Sequence, residues 1–252
     1  MPRFFPLGKK HVLLYSTAGG VIWESGEFEP KELKFHSERR GILDHGAYYA
    51  QKTQLDAHGN RILWGWIPEK RPDADLIAAG WASCMALPRA LSLSPEGELE
   101  MTVAPEALSL REKAYSLSSK NSAKDSEILQ YISIEDLRAE LAWKASPNNF
   151  ALILEDHSGP WWSVSLAQSN SALTLTVNGT ATKISDQPGT HNFHLFLDAS
   201  VAELIVDRRH AITTRTYRKP DGPLRIRIGN DSQLETFEGW QLQPISPDRL
   251  TS

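Results

Sequence analysis

The sequence predicts an all-β chain in two parts, and three observations predict it. Short runs of leucine, β-branched and aromatic residues recur along its length, with Gly, Asn, Asp and Pro between them. Helical periodicity is weak throughout, apart from a short stretch at Ser133–Leu137. The texture changes near Pro105, where Pro105-Glu106-Ala107-Leu108 suits the first turn of a short helix. A boundary placed there separates residues 1–107 from residues 108–252.

The first part reads as hairpins. His11-Val12-Leu13-Leu14-Tyr15 is a run of strand formers, Gly19-Gly20 breaks it and Val21-Ile22-Trp23 resumes it. Ala47–Thr53 and Arg61–Ile67 flank the polar turn Asp56–Asn60. Alternation puts Ile62, Trp64 and Trp66 on one face of the second of these strands. Tyr48 and Tyr49 point to opposite faces, so one of them belongs to the core. A further hairpin runs from Ala90–Leu93 across Pro95-Glu96-Gly97 to Leu99–Val103.

The second part carries strands at Glu140–Trp143, Phe150–Leu154, Leu173–Val177, His194–Leu197, Ala202–Val206 and Leu224–Ile228. Asn178-Gly179 after Leu173–Val177 is a strong short hairpin signal. This spacing predicts an antiparallel sandwich. It should be the more stable part, with a complete core of its own.

Composition narrows the function classes. The 252 residues include 8 Trp, 6 Tyr and 8 Phe, with 40% hydrophobic residues, which is ample for a core. A net charge of -4 with no long basic run gives no nucleic-acid footprint. No run of about 18 apolar residues reads as a membrane span, and Met1–Pro6 shows no signal-peptide pattern. Cys84 is the single cysteine, expected as a buried thiol, and no spacing points to a metal or other cofactor. His36, His45 and His58 are spread over expected loops. Asp73 and Asp75 follow Arg71-Pro72 in what reads as an exposed loop. Asp198 and Glu203 read as ordinary turn and edge charges. Asn178 and Asn230 open glycosylation triplets, the first better explained by its turn. Trp161-Trp162 either binds carbohydrate as an exposed pair or packs at least one ring into the core.

Several stretches, taken in order, resemble glycoside hydrolase family 32, the β-fructosidases and invertases. Phe4-Phe5-Pro6-Leu7-Gly8 is similar to the segment after the family's Glu-Cys-Pro motif. Asp44-His45-Gly46 with Tyr48-Tyr49-Ala50 resembles its Asp-x-Gly and Tyr-Ala element. Arg61–Trp66, Gly80-Trp81-Ala82 and Leu87-Pro88-Arg89 resemble its next strands. Phe196–Glu203 and Ile212–Arg215 resemble the last strands of its C-terminal sandwich.

The resemblance implies a five-bladed propeller followed by a sandwich, with about two blades in residues 1–107. It implies that Asp44, Tyr49 and Trp66 lie on strands reaching a sugar-binding funnel. Each has a plain alternative, as a turn residue for Asp44 and as core for Tyr49 or Trp66. Trp64 reads as core. Family members cleave β-fructofuranosides with two carboxyl groups about 5 Å apart. The Asn-Asp-Pro, Arg-Asp-Pro and Glu-Cys-Pro motifs that carry the family's carboxylates do not occur here, and the acid/base Glu is expected one residue before Met1. No catalytic residue is therefore expected, and the polypeptide alone should not hydrolyse sucrose or fructans. The expected partners are a fructose-containing carbohydrate and either a second copy, through exposed blade edges and faces, or a complementing N-terminal half.

Overall fold

The computed structural model describes residues 2–118, 134, 136–147, 150–169, 172–184, 189–229 and 234–246. It is all-β apart from one short α-helix and one 3₁₀ turn among the described residues. The chain divides into two compact units, Met1–Ser109 with Arg208–Thr213, and Leu110–Asp207 with Thr214–Ser252.

In the first unit, β1 (Arg3–Leu7), β2 (Lys10–Thr17), β3 (Gly20–Glu29) and β4 (Lys34–Ile42) form an antiparallel meander. Alternation sends Phe5, Val12, Leu14, Val21 and Trp23 to one buried face. Phe4, His11, Phe28 and Phe35 cluster on the other, with ring centroids 5.2 to 5.3 Å apart. That second face stays open enough to leave Phe4 43% exposed.

The second sheet holds β5 (Tyr49–Leu55), β6 (Arg61–Ile67), β7 (Cys84–Met85), β8 (Arg89–Leu93) and β9 (Leu99–Val103). Its order is β5-β6-β8-β9, with β7 on the end of β6. The two sheets touch within the unit. The Arg61 guanidinium lies 4.7 Å from the centre of the Phe5 ring, and Ser25 Oγ donates to Gly97 O at 2.5 Å.

Three expectations change here. Ile62, Trp64 and Trp66 do share a face of β6, but the other row, Leu63-Gly65-Ile67, is the one buried throughout, and Trp64 is half-buried. Arg71–Asp75 leads into α1 (Asp73–Ala79) rather than staying a loop. None of its residues is buried, so it has no apolar stripe to announce it. Asp73 and Asp75 suit its first turn, and Gly80, at φ 72°, ends it by donating its N–H to the carbonyls of Leu76 and Ile77. Cys84 is half-buried rather than enclosed.

A 3₁₀ turn at Pro105–Leu110 replaces the short helix expected there. The remaining strands are β10 (Arg111–Ser118), β11 (Arg138–Ala145), β12 (Phe150–Asp156), β13 (Gly159–Ser169), β14 (Ala172–Val177), β15 (Thr180–Ile184), β16 (His191–Asp198), β17 (Val201–Val206), β18 (His210–Arg215), β19 (Arg225–Ile228) and β20 (Leu234–Leu242), all in the second unit except β18, which belongs to the first unit as far as Thr213. One sheet runs β10-β20-β11-β16-β17-β18 and the other β15-β14-β13-β12-β19. They face each other through an aromatic core in which Phe150 of the second sheet lies 6.1 Å from Trp143 and 5.3 Å from Phe193 of the first. Asn178 and Gly179 both take positive φ, at 47° and 78°, as a two-residue hairpin turn requires. Asp136 and Leu137 have φ of 54° and 52°, so the helical reading fails there. Ser133 and Glu135 of that stretch, and the Asn230 triplet, lie outside the described residues.

Candidate functional site

The residues singled out at the end of the second sheet separate into an exposed pair and a buried network. Tyr49 stands directly opposite Trp66 across the β5–β6 ladder, and Met85 of β7 stands on the other side of Trp66. Side chains opposed in this way have Cβ atoms roughly 4.5–5.5 Å apart. Tyr49 and Trp66 are each 41% exposed and Met85 is 60% exposed. The three make an open row of two aromatic rings and a thioether.

A bulge creates this pairing. Tyr49 faces Trp66 and Lys52 faces Trp64, so β5 spends three steps where β6 spends two. Ala50 carries the extra residue with a left-handed φ of 53°. Without the bulge Ala50 would face Trp66, and the row would lose one ring. Nothing in the local sequence announces it, because alanine is not a residue that seeks positive φ.

The connection from β6 to β7 leaves one residue after Trp66 and returns at Cys84-Met85. Its neck is held by Glu69. Oε1 accepts from the N–H groups of Lys70 and Arg71 at 2.9 Å each, and Oε2 accepts from Arg71 Nη2 at 2.8 Å and from Ser83 N at 3.1 Å. The Arg71 guanidinium also lies 4.2 Å above the Trp81 ring. The clamp fixes where Met85 re-enters beside Trp66.

Asp44 is placed differently from Tyr49 and Trp66. Its side chain has no exposed surface and meets Arg89, equally enclosed, at 2.9 Å. Oδ2 accepts from Arg89 Nη2 and from Thr213 Oγ1 at 2.7 Å, while Oδ1 accepts from Gly46 N at 2.8 Å and Thr213 N at 3.0 Å. Four protein donors thus take up the carboxylate, and it offers no face to solvent. The backbone beside it is pinned as well, with His45 N donating to Ala211 O and Ala47 N to Thr213 O. Gly46 allows this approach, since a Cβ there would sit 2.0 Å from Thr213 O. Burial holds the His45 imidazole below its usual range against the pull of Asp44.

Arg89 links the network to the open row. Its guanidinium lies 4.5 Å from the centre of the Tyr48 ring, and Tyr48 is buried as the first of the paired tyrosines. The rim of that ring rests on Gly65, between Trp64 and Trp66. Sequence reading named Asp44, Tyr49 and Trp66 but gave no role to Arg89, Thr213 or Met85. Arg89 and Thr213 carry no local signal, because their partnership with Asp44 spans 45 and 169 residues respectively.

The remaining candidates fall away from a site. His36 and His58 are exposed, and among the described residues no three His, Cys, Asp or Glu side chains are grouped to hold a metal ion. Trp161 and Trp162 are both buried, donating to Arg218 O at 2.7 Å and Thr214 Oγ1 at 3.0 Å, so they form no exposed carbohydrate platform. Glu203 is buried in β17 between two neighbouring strands, not on an edge. Asn178 serves its turn, its Oδ1 accepting from Ser163 N at 2.9 Å.

Residues 1–105 match the family model described as the glycosyl hydrolases family 32 N-terminal domain. Over 85 residues, 33% of the chain, it is 45% identical to an insoluble-isoenzyme β-fructofuranosidase of Arabidopsis thaliana. Over 139 residues, 54% of the chain, it is 31% identical to a fructan 6-exohydrolase of Beta vulgaris. These matches span 15% and 23% of the two relatives' own length. A structure of fructan 1-exohydrolase IIa from Cichorium intybus in complex with 1-kestose shares the fold, with a TM-score of 0.82, 18% identity, and coverage of 96% of this chain and 61% of that one.

Proposed function

We propose that the chain, whose residues 1–105 match the family 32 glycosyl hydrolase N-terminal domain, presents a fructoside-contacting surface without supplying the carboxylate pair that cleaves the bond. The two sheets of the first unit are then two blades of a five-bladed propeller, and the facing sheets of the second are its sandwich. The observation that carries the reading is the open row of Tyr49, Trp66 and Met85. Aromatic rings with a polar edge suit a sugar, whose ring has apolar faces and hydroxyl rims. The bulge at Ala50 spends backbone strain to bring Tyr49 into the row, and bulges commonly re-aim a side chain next to a site.

Retaining cleavage needs a nucleophilic and an acid/base carboxyl about 5 Å apart. The sequence holds no Asn-Asp-Pro, Arg-Asp-Pro or Glu-Cys-Pro motif to supply them. Asp44, a buried carboxylate, is consumed by Arg89 and Thr213. On this reading sucrose and fructans are ligands of the polypeptide, and hydrolysis needs groups from outside these residues. A second reading, a non-catalytic binding module for the same sugars, rests on the same row.

Titration calorimetry with sucrose, inulin and levan tests both. We expect measurable heat with at least one of them and no release of fructose by the pure chain. Silence with all three would remove the binding surface. Turnover lost on mutating a residue of this chain would restore a catalytic role. The open aromatic face of β1–β4 suits a further sheet, so we also propose that the chain associates, either with a second copy or with a complementing half.

A further inference from the structure

We infer that Asp44 and Arg89 are positioning residues for the Tyr49–Trp66 pair, acting on a sugar only through Tyr48 and Gly65. The inference rests on the proposal that this pair contacts carbohydrate. Asp44 cannot itself reach a ligand, since its side chain is fully enclosed and four protein donors occupy its oxygens.

Its influence runs outward in three steps. First, Asp44 and Thr213 hold Arg89. Thr213 Oγ1 accepts from Arg89 Nη2 at 2.9 Å and donates its O–H to Asp44 Oδ2 at 2.7 Å, so the three groups form a closed triangle. A guanidinium with no exposed surface needs such a counter-charge to stay where it is. Second, Arg89 holds Tyr48. The guanidinium lies 4.5 Å from the ring centre, and the far rim of the ring occupies the volume a side chain at position 65 would take. Third, Tyr48 sets both partners of the open row. It precedes Tyr49 directly, and Gly65 precedes Trp66 directly, so one ring locates the neighbours of both exposed aromatics. The bulge at Ala50 follows at once, which means the register that brings Tyr49 to Trp66 is decided within a few residues of this contact.

The alternative is that the network only stabilises the sheet. The two roles differ in what a conservative change does to Trp66 in the ligand-free protein. Asp44→Asn keeps size and polarity but removes the counter-charge, and Thr213→Val removes one hydroxyl while keeping shape. Both are compared with wild type in the full chain labelled with fluorotryptophan at its 8 Trp and read by fluorine NMR, the Trp66, Trp161 and Trp162 signals each being assigned by its loss in the corresponding Trp→Phe variant. Thermal melting and titration with sucrose and with inulin accompany the spectra.

Asp44→Asn is expected to move the Trp66 signal, leave Trp161 and Trp162 in place, and weaken the sugar that binds by about tenfold. Thr213→Val should give a smaller change in the same direction, and it keeps the test open if Asp44→Asn does not fold. An unmoved Trp66 signal with unchanged affinity overturns the inference. So does a general shift of every signal with a lowered melting point, which is the mark of a purely structural role. If wild type binds neither sugar while Asp44→Asn still moves Trp66 alone, the positioning stands and the carbohydrate reading falls.

Discussion

The ring of Tyr48 fills the place where a side chain at Gly65 would be, so that a Cβ on residue 65 would lie 2.0 Å from Tyr48 Cζ. The absence of one methyl group therefore decides where a buried ring, and the exposed residues beside it, come to rest.

Gly65→Ala is expected to destabilise the first unit, because Tyr48 is packed by Arg89 on its face and has no room to withdraw. Overpacking of this kind costs about 1–3 kcal/mol. Thermal melting of the variant reads it, and an unchanged midpoint would mean that the ring moves freely.

Trp66→Ala and Trp162→Ala should behave in opposite ways. Trp66 is 41% exposed, and its removal should cost about 1–2 kcal/mol, from its two cross-strand pairs, while reducing sugar affinity. Trp162 is 1% exposed, and its removal should cost about 3–5 kcal/mol with no specific effect on affinity in protein that still folds. Paired calorimetry and denaturant titration separate the two. Tyr49→Ala should follow Trp66→Ala.

Stability of the second unit should fall in acid through Glu140. Burial pushes this carboxyl up, but hydrogen bonds from Arg111 at 2.5 and 2.7 Å and from His194 at 2.6 Å, with their charges, outweigh it and hold it below its ordinary 4.5. A carboxyl depressed on folding stabilises above its unfolded value, and that stabilisation is lost as pH falls through the folded one. Melting followed downward from pH 4.5 should show a decline that Glu140→Gln reduces. Equal slopes for the two proteins would assign the acid loss elsewhere.

The pure chain is expected to self-associate at micromolar concentration through the face that carries Phe4 and Phe35. Replacing both with Glu should return it to a monomer in light scattering without unfolding it. A monomeric wild type would show that this face stays wet.

Much of the fold was legible because strands with one buried face alternate. The β5–β6 hairpin, the β8–β9 hairpin and the Asn178-Gly179 turn all lie where alternation and turn chemistry put them. Helix α1 was not legible, since a seven-residue helix with nothing buried has no periodicity to read. At the site, the opposed directions of Tyr48 and Tyr49 followed from period two alone. The bulge at Ala50 did not, and it changes which residue Trp66 faces. Asp44 illustrates the other limit. An aspartate two residues before a glycine reads locally as a turn or a ligand, and only the distant Arg89 and Thr213 reveal a buried ion pair.

Thr213 lies 169 residues beyond Asp44. A ribosome adding about 5–20 residues each second needs roughly ten to thirty seconds to travel between them. For the last 124 residues of that stretch, once Arg89 has been made, the nascent first unit must carry both a carboxylate and a guanidinium whose enclosure is unfinished. The sheet can form early, but its innermost polar contact closes only after most of the second unit has been made, and chaperones or early collapse have that long to act on it.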